Sequence, residues 1–71
     1  MDDEEYIKQL GQNIKKIRQS KGISQVDLGY LCDFEKPNMQ RIEAGKTNPT
    51  IKTLLKISKA LKVSLIDLLD F

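Results

Sequence analysis

Apolar residues return along this 71-residue chain at the three- and four-residue spacings of helices, and nowhere alternate long enough for a strand. Tyr6, Leu10, Ile14 and Ile17 make one stripe, widened by Ile7, which predicts a helix from about Asp3 to Ser20. Its acidic start suits the positive end of the helix dipole, and Gly22 is placed for a left-handed cap after it. Gly11 lies inside the stripe and weakens a helix by about 1 kcal/mol against Ala, so another helix is expected to pack closely there.

Ser24 is the N-cap candidate of a second helix, with Asp27 three residues on and Leu28, Leu31 and Cys32 on its apolar side. Gly29 lies between them, on a face open to close approach. A break at Asp33–Phe34 precedes a third helix from Glu35 or Lys36 to Ala44. Pro37 enforces that break, because proline is tolerated in a first helical turn but not inside one long helix. Met39 and Ile42 then face inward, and Pro37, Asn38, Gln40 and Arg41 face out. Gly45 closes this helix. Thr50 is expected to cap a fourth helix to Leu61, with Ile51, Leu54, Leu55, Ile57, Ser58 and Leu61 inward. Ser64, with Asp67 three residues on, opens a last short helix whose apolar side is Leu65, Leu68 and Leu69, followed by Phe71. The fold class is all-α: one domain, residues 1–71, a compact bundle of five short helices.

Composition narrows the function. Charged residues at 31% and hydrophobic residues at 39% are ordinary for a globular chain and too mixed for a membrane span, so no membrane association is expected. One cysteine and no histidine exclude a disulfide framework and an ordinary zinc site. Cys32 reads as a small buried hydrophobe, since no histidine exists to activate it. Tyr30 reads as a half-exposed helix residue, and Asp67 and Asp70 as solvated acids. The acids Asp2, Asp3, Glu4 and Glu5 form a terminal cluster expected to fray, and there is no Gly-rich phosphate loop. An enzyme is therefore not expected, nor a cofactor. The start "MDDEEY" lacks a secretory signal, which makes the cytoplasm the expected location.

The net charge is only +2, but its distribution is uneven. Lysines and an arginine gather between Lys8 and Lys21, and again at Lys52, Lys56, Lys59 and Lys62. A basic face of this kind attracts a phosphate backbone.

The stretch from Ser24 to Ala44 resembles the Cro/C1-type (XRE-like) helix-turn-helix domain of phage and bacterial repressors. It begins with Ser24–Gln25, places Leu28, Cys32, Phe34, Met39 and Ile42 at the core positions, and has Gly29 at the small crossing position. Ile42–Glu43–Ala44–Gly45 matches the ending of the recognition helix, and Asn48–Pro49–Thr50 the approach to the fourth helix. The stretch from Leu54 to Leu65 matches the usual tail, so the resemblance spans essentially the whole chain. Two positions depart from the pattern. Asp33 stands where a turn glycine is usual, and Glu35 where Ser or Thr often caps the recognition helix, so Asp33 is an alternative cap. The implied fold is lambda-repressor-like, with the motif at about residues 24–44. An Arg18–Glu43 pair tying the first helix to the third is also implied.

An exposed helix after a tight turn fits the major groove of double-stranded DNA. Lys36 and Arg41 can donate to guanine, Gln40 can pair with adenine, and the Pro37 ring can press on a thymine methyl. The resemblance points to the same base-facing positions, and gives Gln25 a phosphate. Asn38, Lys46, Thr47 and Asn48 are further phosphate candidates. One such helix reads few bases, so a homodimer on a palindromic operator is expected, and the resemblance places its contact near Leu65, Leu68, Leu69 and Phe71. The implied function is a sequence-specific transcriptional regulator, a repressor. The alternative is a protein interaction module on the same scaffold, such as an antitoxin or accessory regulator acting mainly through a protein partner. Acids at Asp33 and Glu35, or an apolar recognition face, would favour that alternative.

Overall fold

The computed structural model describes the backbone of all 71 residues and the side chains of all but Lys36. Five helices follow one another: α1 (Asp3–Ser20), α2 (Gln25–Leu31), α3 (Lys36–Glu43), α4 (Ile51–Leu61) and α5 (Leu65–Leu69). Their starts are set by side chains that satisfy free N–H groups of the first turn. Ser24 Oγ accepts from Asp27 N at 3.0 Å, and Thr50 Oγ1 from Thr53 N at 3.2 Å. At α5 the bond is reciprocal: Ser64 Oγ accepts from Asp67 N, and Asp67 Oδ2 accepts from Ser64 N at 3.0 Å. Asp67 is thus a cap, not merely a solvated acid. The acidic terminus is also more ordered than its composition suggests, because Asp2 Oδ1 accepts from Glu5 N at 2.8 Å and starts α1.

The turn between α2 and α3 is made by Asp33, whose φ of 58° is the left-handed conformation. Asp tolerates this region better than most residues. Its N–H donates to the Tyr30 carbonyl, and that of Phe34 to the Gly29 carbonyl. Asp33 is therefore the turn residue and not a cap. Glu35 occupies the N-cap of α3 without a side-chain bond, and Pro37 sits in the first turn. The chain does break at Asp33–Phe34, as Pro37 requires.

The core joins all five helices. Ile14, Leu28, Met39, Ile57, Leu61 and Leu68 are fully buried, with Leu10, Cys32, Ile42 and Leu54 beside them. Two stripes, those of α2 and α4, are narrower than the spacing predicts. Leu31, Ile51 and Leu55 are exposed, because each lies at the edge of a stripe that neighbouring short helices do not reach across. Tyr30 is also more exposed than expected, at 85%.

Two glycines behave differently. A Cβ at Gly11 would lie 2.4 Å from the Ile42 carbonyl oxygen and 2.7 Å from that of Glu43, so the end of α3 packs directly on the α1 backbone. At Gly29 a Cβ would meet only Met39 Cβ at 3.7 Å, an ordinary contact. The crossing of α2 and α3 therefore does not demand glycine.

Candidate nucleic-acid interface

α3 presents two faces because its eight residues span about two turns. Met39 and Ile42 are 1% and 5% exposed, while Pro37, Asn38, Gln40 and Arg41 all stand in solvent. At about 1.5 Å per residue the helix is roughly 12 Å long, comparable with the width of a major groove. The Lys36 side chain lies outside the described residues.

Arg41 sits between two hollows. One is bordered by Pro37, Gln40, Ala44 and Lys46. The other is bordered by Asn38, Thr47, Asn48, Thr50 and Phe34. Candidates of both kinds, Pro37 and Gln40 on one side and Asn38, Thr47 and Asn48 on the other, thus meet at Arg41. The loop carrying Lys46, Thr47 and Asn48 is held at its start by two contacts. Lys46 N donates to the Arg41 carbonyl at 2.9 Å, and Gly45 adopts φ 72° where its Cα packs on α1. A Cβ there would lie 2.7 Å from Lys8 Cα. Lys46, Thr47 and Asn48 are all exposed. On the α1 side of this loop, Asp2, Glu4 and Glu5 border a further hollow with Lys46 and Asn48.

Of the two acids near the turn, Glu35 is exposed at the N-cap of α3. Asp33 borders a hollow with Lys56, Lys59 and Lys62, on the α4 side. Among the described residues, the exposed ones of α3 are Pro37, Asn38, Gln40 and Arg41, polar apart from Pro37, so they form no large apolar patch.

Behind the face lies a buried charge cluster. Arg18 Nε donates to Glu43 Oε2 at 2.7 Å and Arg18 Nη2 to Glu43 Oε1 at 3.0 Å. Arg18 Nη1 donates to the Ile23 carbonyl at 2.8 Å. The Gln25 amide nitrogen donates to Glu43 Oε1 at 3.0 Å. The Arg18–Glu43 pair thus ties α1 to α3, as the resemblance implied. Gln25, expected to hold a phosphate, is half-buried and its side chain also donates to Glu43. Nothing in the spacing along the chain announces that bond.

The apolar residues of α5 and the end of the chain divide between core and surface. Leu68 is fully buried and Leu65 packs against the core, so Leu68 has no surface to offer a partner. Leu69 and Phe71 are 36% and 44% exposed. They are joined by Ile66, 77% exposed, and by Tyr6, whose ring lies 5.0 Å from that of Phe71. Ile66 was missed because it falls off the α5 stripe, which is itself the signal of an outward apolar residue. Asn13 Nδ2 fixes α5 by donating to the Asp67 and Leu68 carbonyls.

Burial pushes the Cys32 thiol up, and the nearby Lys56 charge opposes this. Among the described residues no group of three or more His, Cys, Asp or Glu side chains could hold a metal. No helix is long and apolar enough to cross a membrane.

Comparisons with known proteins agree with this geometry. The helix-turn-helix family model HTH_3 matches residues 14–68. The control protein C.BamHI of Bacillus amyloliquefaciens is 44% identical over 62 residues, which is 86% of this chain and 76% of that protein. The regulator SinR of Bacillus subtilis is 40% identical over 62 residues, 86% of this chain and 56% of SinR. The crystal structure of the restriction-modification controller protein C.AhdI from Aeromonas hydrophila superposes with a TM-score of 0.83. The match has 28% identity and covers 90% of this chain and 96% of C.AhdI. The chain therefore belongs to the HTH_3 family of Cro/C1-type helix-turn-helix transcriptional regulators, a DNA-binding family and not one of enzymes.

Proposed function

We propose that this protein binds a two-fold symmetric operator as a homodimer and represses transcription there, with α3 of each subunit in the major groove. The observation that carries the reading is the division of α3. Met39 and Ile42 anchor the helix while Pro37, Asn38, Gln40 and Arg41 stand free beside the Lys46–Asn48 loop. Arg41 and Lys36 read guanine, Gln40 reads adenine and Pro37 packs on a thymine methyl. Gln25, Asn38, Lys46, Thr47 and Asn48 take phosphates, which position the helix without carrying sequence. The bond that Gln25 donates to Glu43 holds its side chain at the start of α2 for this task.

Each subunit reads only a few base pairs, so a useful specificity ratio needs two half-sites about 34 Å apart. The surface that joins the subunits is Ile66, Leu69, Phe71 and Tyr6, the exposed apolar residues at one end of the bundle. Similarity to C.BamHI and C.AhdI, matched along most of their lengths, supports a role as the controller of a restriction–modification operon.

Selection from random duplexes with the purified protein tests the reading. The enriched pool is expected to contain one motif repeated about a two-fold axis. No enrichment, or an asymmetric single site, contradicts it.

A further inference from the structure

α4 carries a row of cations that its own stability does not explain. Lys52, Lys56 and Lys59 recur at spacings of four and three, so they share the face opposite the buried Leu54, Ile57 and Leu61. All three lysines are exposed. Like charges at these spacings destabilise a helix. Lys52 also sits in the first turn of α4, where the helix dipole disfavours a cation, and that turn contains no acid. Lys59, near the C-terminal end, is favoured by the dipole, but Lys52 and Lys56 are not. Asp33 is the acid that shares a hollow with this row, and it does not reach ion-pair distance. Among the described residues the ion pair is Arg18–Glu43 alone.

The row is continuous with the DNA-facing surface. Thr50, the N-cap of α4, and Thr53 in its first turn border the same hollow as Arg41, Asn38 and Asn48, and Lys52 lies between them in the chain. Phe34 borders that hollow too, and Lys56 Nζ lies 6.0 Å from the centre of its ring. A strip of positive charge therefore runs from the Arg41 hollow along α4 without an intervening acid at pairing distance. A regularly charged polyanion is the chemistry this strip fits.

We propose that the Lys52–Lys56–Lys59 face of α4 is a second phosphate-binding track, extending the DNA interface beyond the groove that α3 enters. The inference rests on the reading of this protein as a DNA-binding regulator. The track contributes affinity and salt dependence but no base preference, because lysine contacts to phosphate carry no sequence information.

The test is a triple variant, Lys52→Gln, Lys56→Gln and Lys59→Gln, measured by fluorescence anisotropy against the selected operator and a scrambled duplex of equal length. The control is Lys15→Gln, Lys16→Gln and Lys21→Gln, which removes the same charge from α1. The α4 variant is expected to bind both duplexes roughly tenfold more weakly at about 50 mM salt. Its log–log salt slope becomes shallower by up to about 0.9 for each lysine in contact. Its thermal midpoint stays level or rises, since mutual repulsion has been removed. Unchanged affinity, equal loss in the α1 control, or a loss confined to the operator would overturn the track. If the unaltered protein binds no duplex at all, the functional reading fails and the track with it. If it binds and the α4 variant binds equally well, the track alone fails.

Discussion

Arg18 and Glu43 meet through two hydrogen bonds of 2.7 and 3.0 Å although twenty-five positions separate them in the chain. Both are buried, and each charge is matched further: Arg18 by the Ile23 carbonyl, Glu43 by the Gln25 amide. The cluster sets the end of α3 against α1 and the start of α2 against α3. Removing one partner leaves an uncompensated buried charge, which costs about 3–5 kcal/mol. Arg18→Met and Glu43→Leu are each expected to lower stability in urea by that order. The double variant is expected to lose clearly less than the sum. Additive losses in this cycle would show that the two residues do not act as a pair.

Gly11 and Gly29 make opposite predictions from the same substitution. Gly11→Ala forces a methyl into the carbonyls that end α3, within 2.4 Å of one of them. A loss of about 1–3 kcal/mol is expected, as for other overpacked sites. Gly29→Ala meets ordinary contact at 3.7 Å and gains helix propensity, so stability is expected to hold or rise by up to about 1 kcal/mol. Thermal unfolding of the two variants side by side measures the contrast.

Cys32 is enclosed by apolar neighbours and its thiol is pushed above its ordinary value of 9.0 by burial. Folding therefore favours the protonated thiol. This contribution is fully present below pH 9.0 and is lost as pH rises through the higher value of the folded state. Iodoacetamide at about pH 8 should label the native thiol far more slowly than the urea-unfolded one. The fall in stability above pH 9.0 should be shallower in Cys32→Ala than in the unaltered protein. Equal labelling rates would show that the sulfur is not enclosed.

Ile66 and Leu68 separate association from folding. Ile66→Asp changes a residue that is 77% exposed, so the fold should survive while sedimentation equilibrium shifts toward monomer and operator binding weakens. Leu68→Ala empties a fully buried site and should lower stability by about 2–5 kcal/mol. An Ile66→Asp protein that remains dimeric would move the subunit contact elsewhere.

Much of the architecture was legible along the chain because helix boundaries are written locally. Ser24, Thr50 and Ser64 each cap the helix they precede, and Pro37 marks a first turn. Gly11 announced a close packing partner without naming it. Side-chain partnerships across helices were less legible, since they depend on crossing geometry. Gln25 looked like a free phosphate ligand, yet it spends one donor on Glu43. The pairing of Arg18 with Glu43 was available only through family resemblance. Leu31, Ile51 and Leu55 extended apolar stripes that the short neighbouring helices do not cover. Ile66 lay off the apolar side of α5 and so drew no role, yet it is the most exposed apolar residue of that helix, while Leu68 on the apolar side is fully buried.

The most direct test of α3 as the reading helix is a comparison of Arg41→Ala with Lys46→Ala across a panel of operator duplexes, each altered at one base pair. Arg41→Ala is expected to relax preference at a single position in each half-site, a loss of about 1–3 kcal/mol of discrimination there. Lys46→Ala is expected to weaken every duplex about equally and to reduce the salt slope by about 1. Uniform weakening of the whole panel by Arg41→Ala, with base preference intact, would contradict the account.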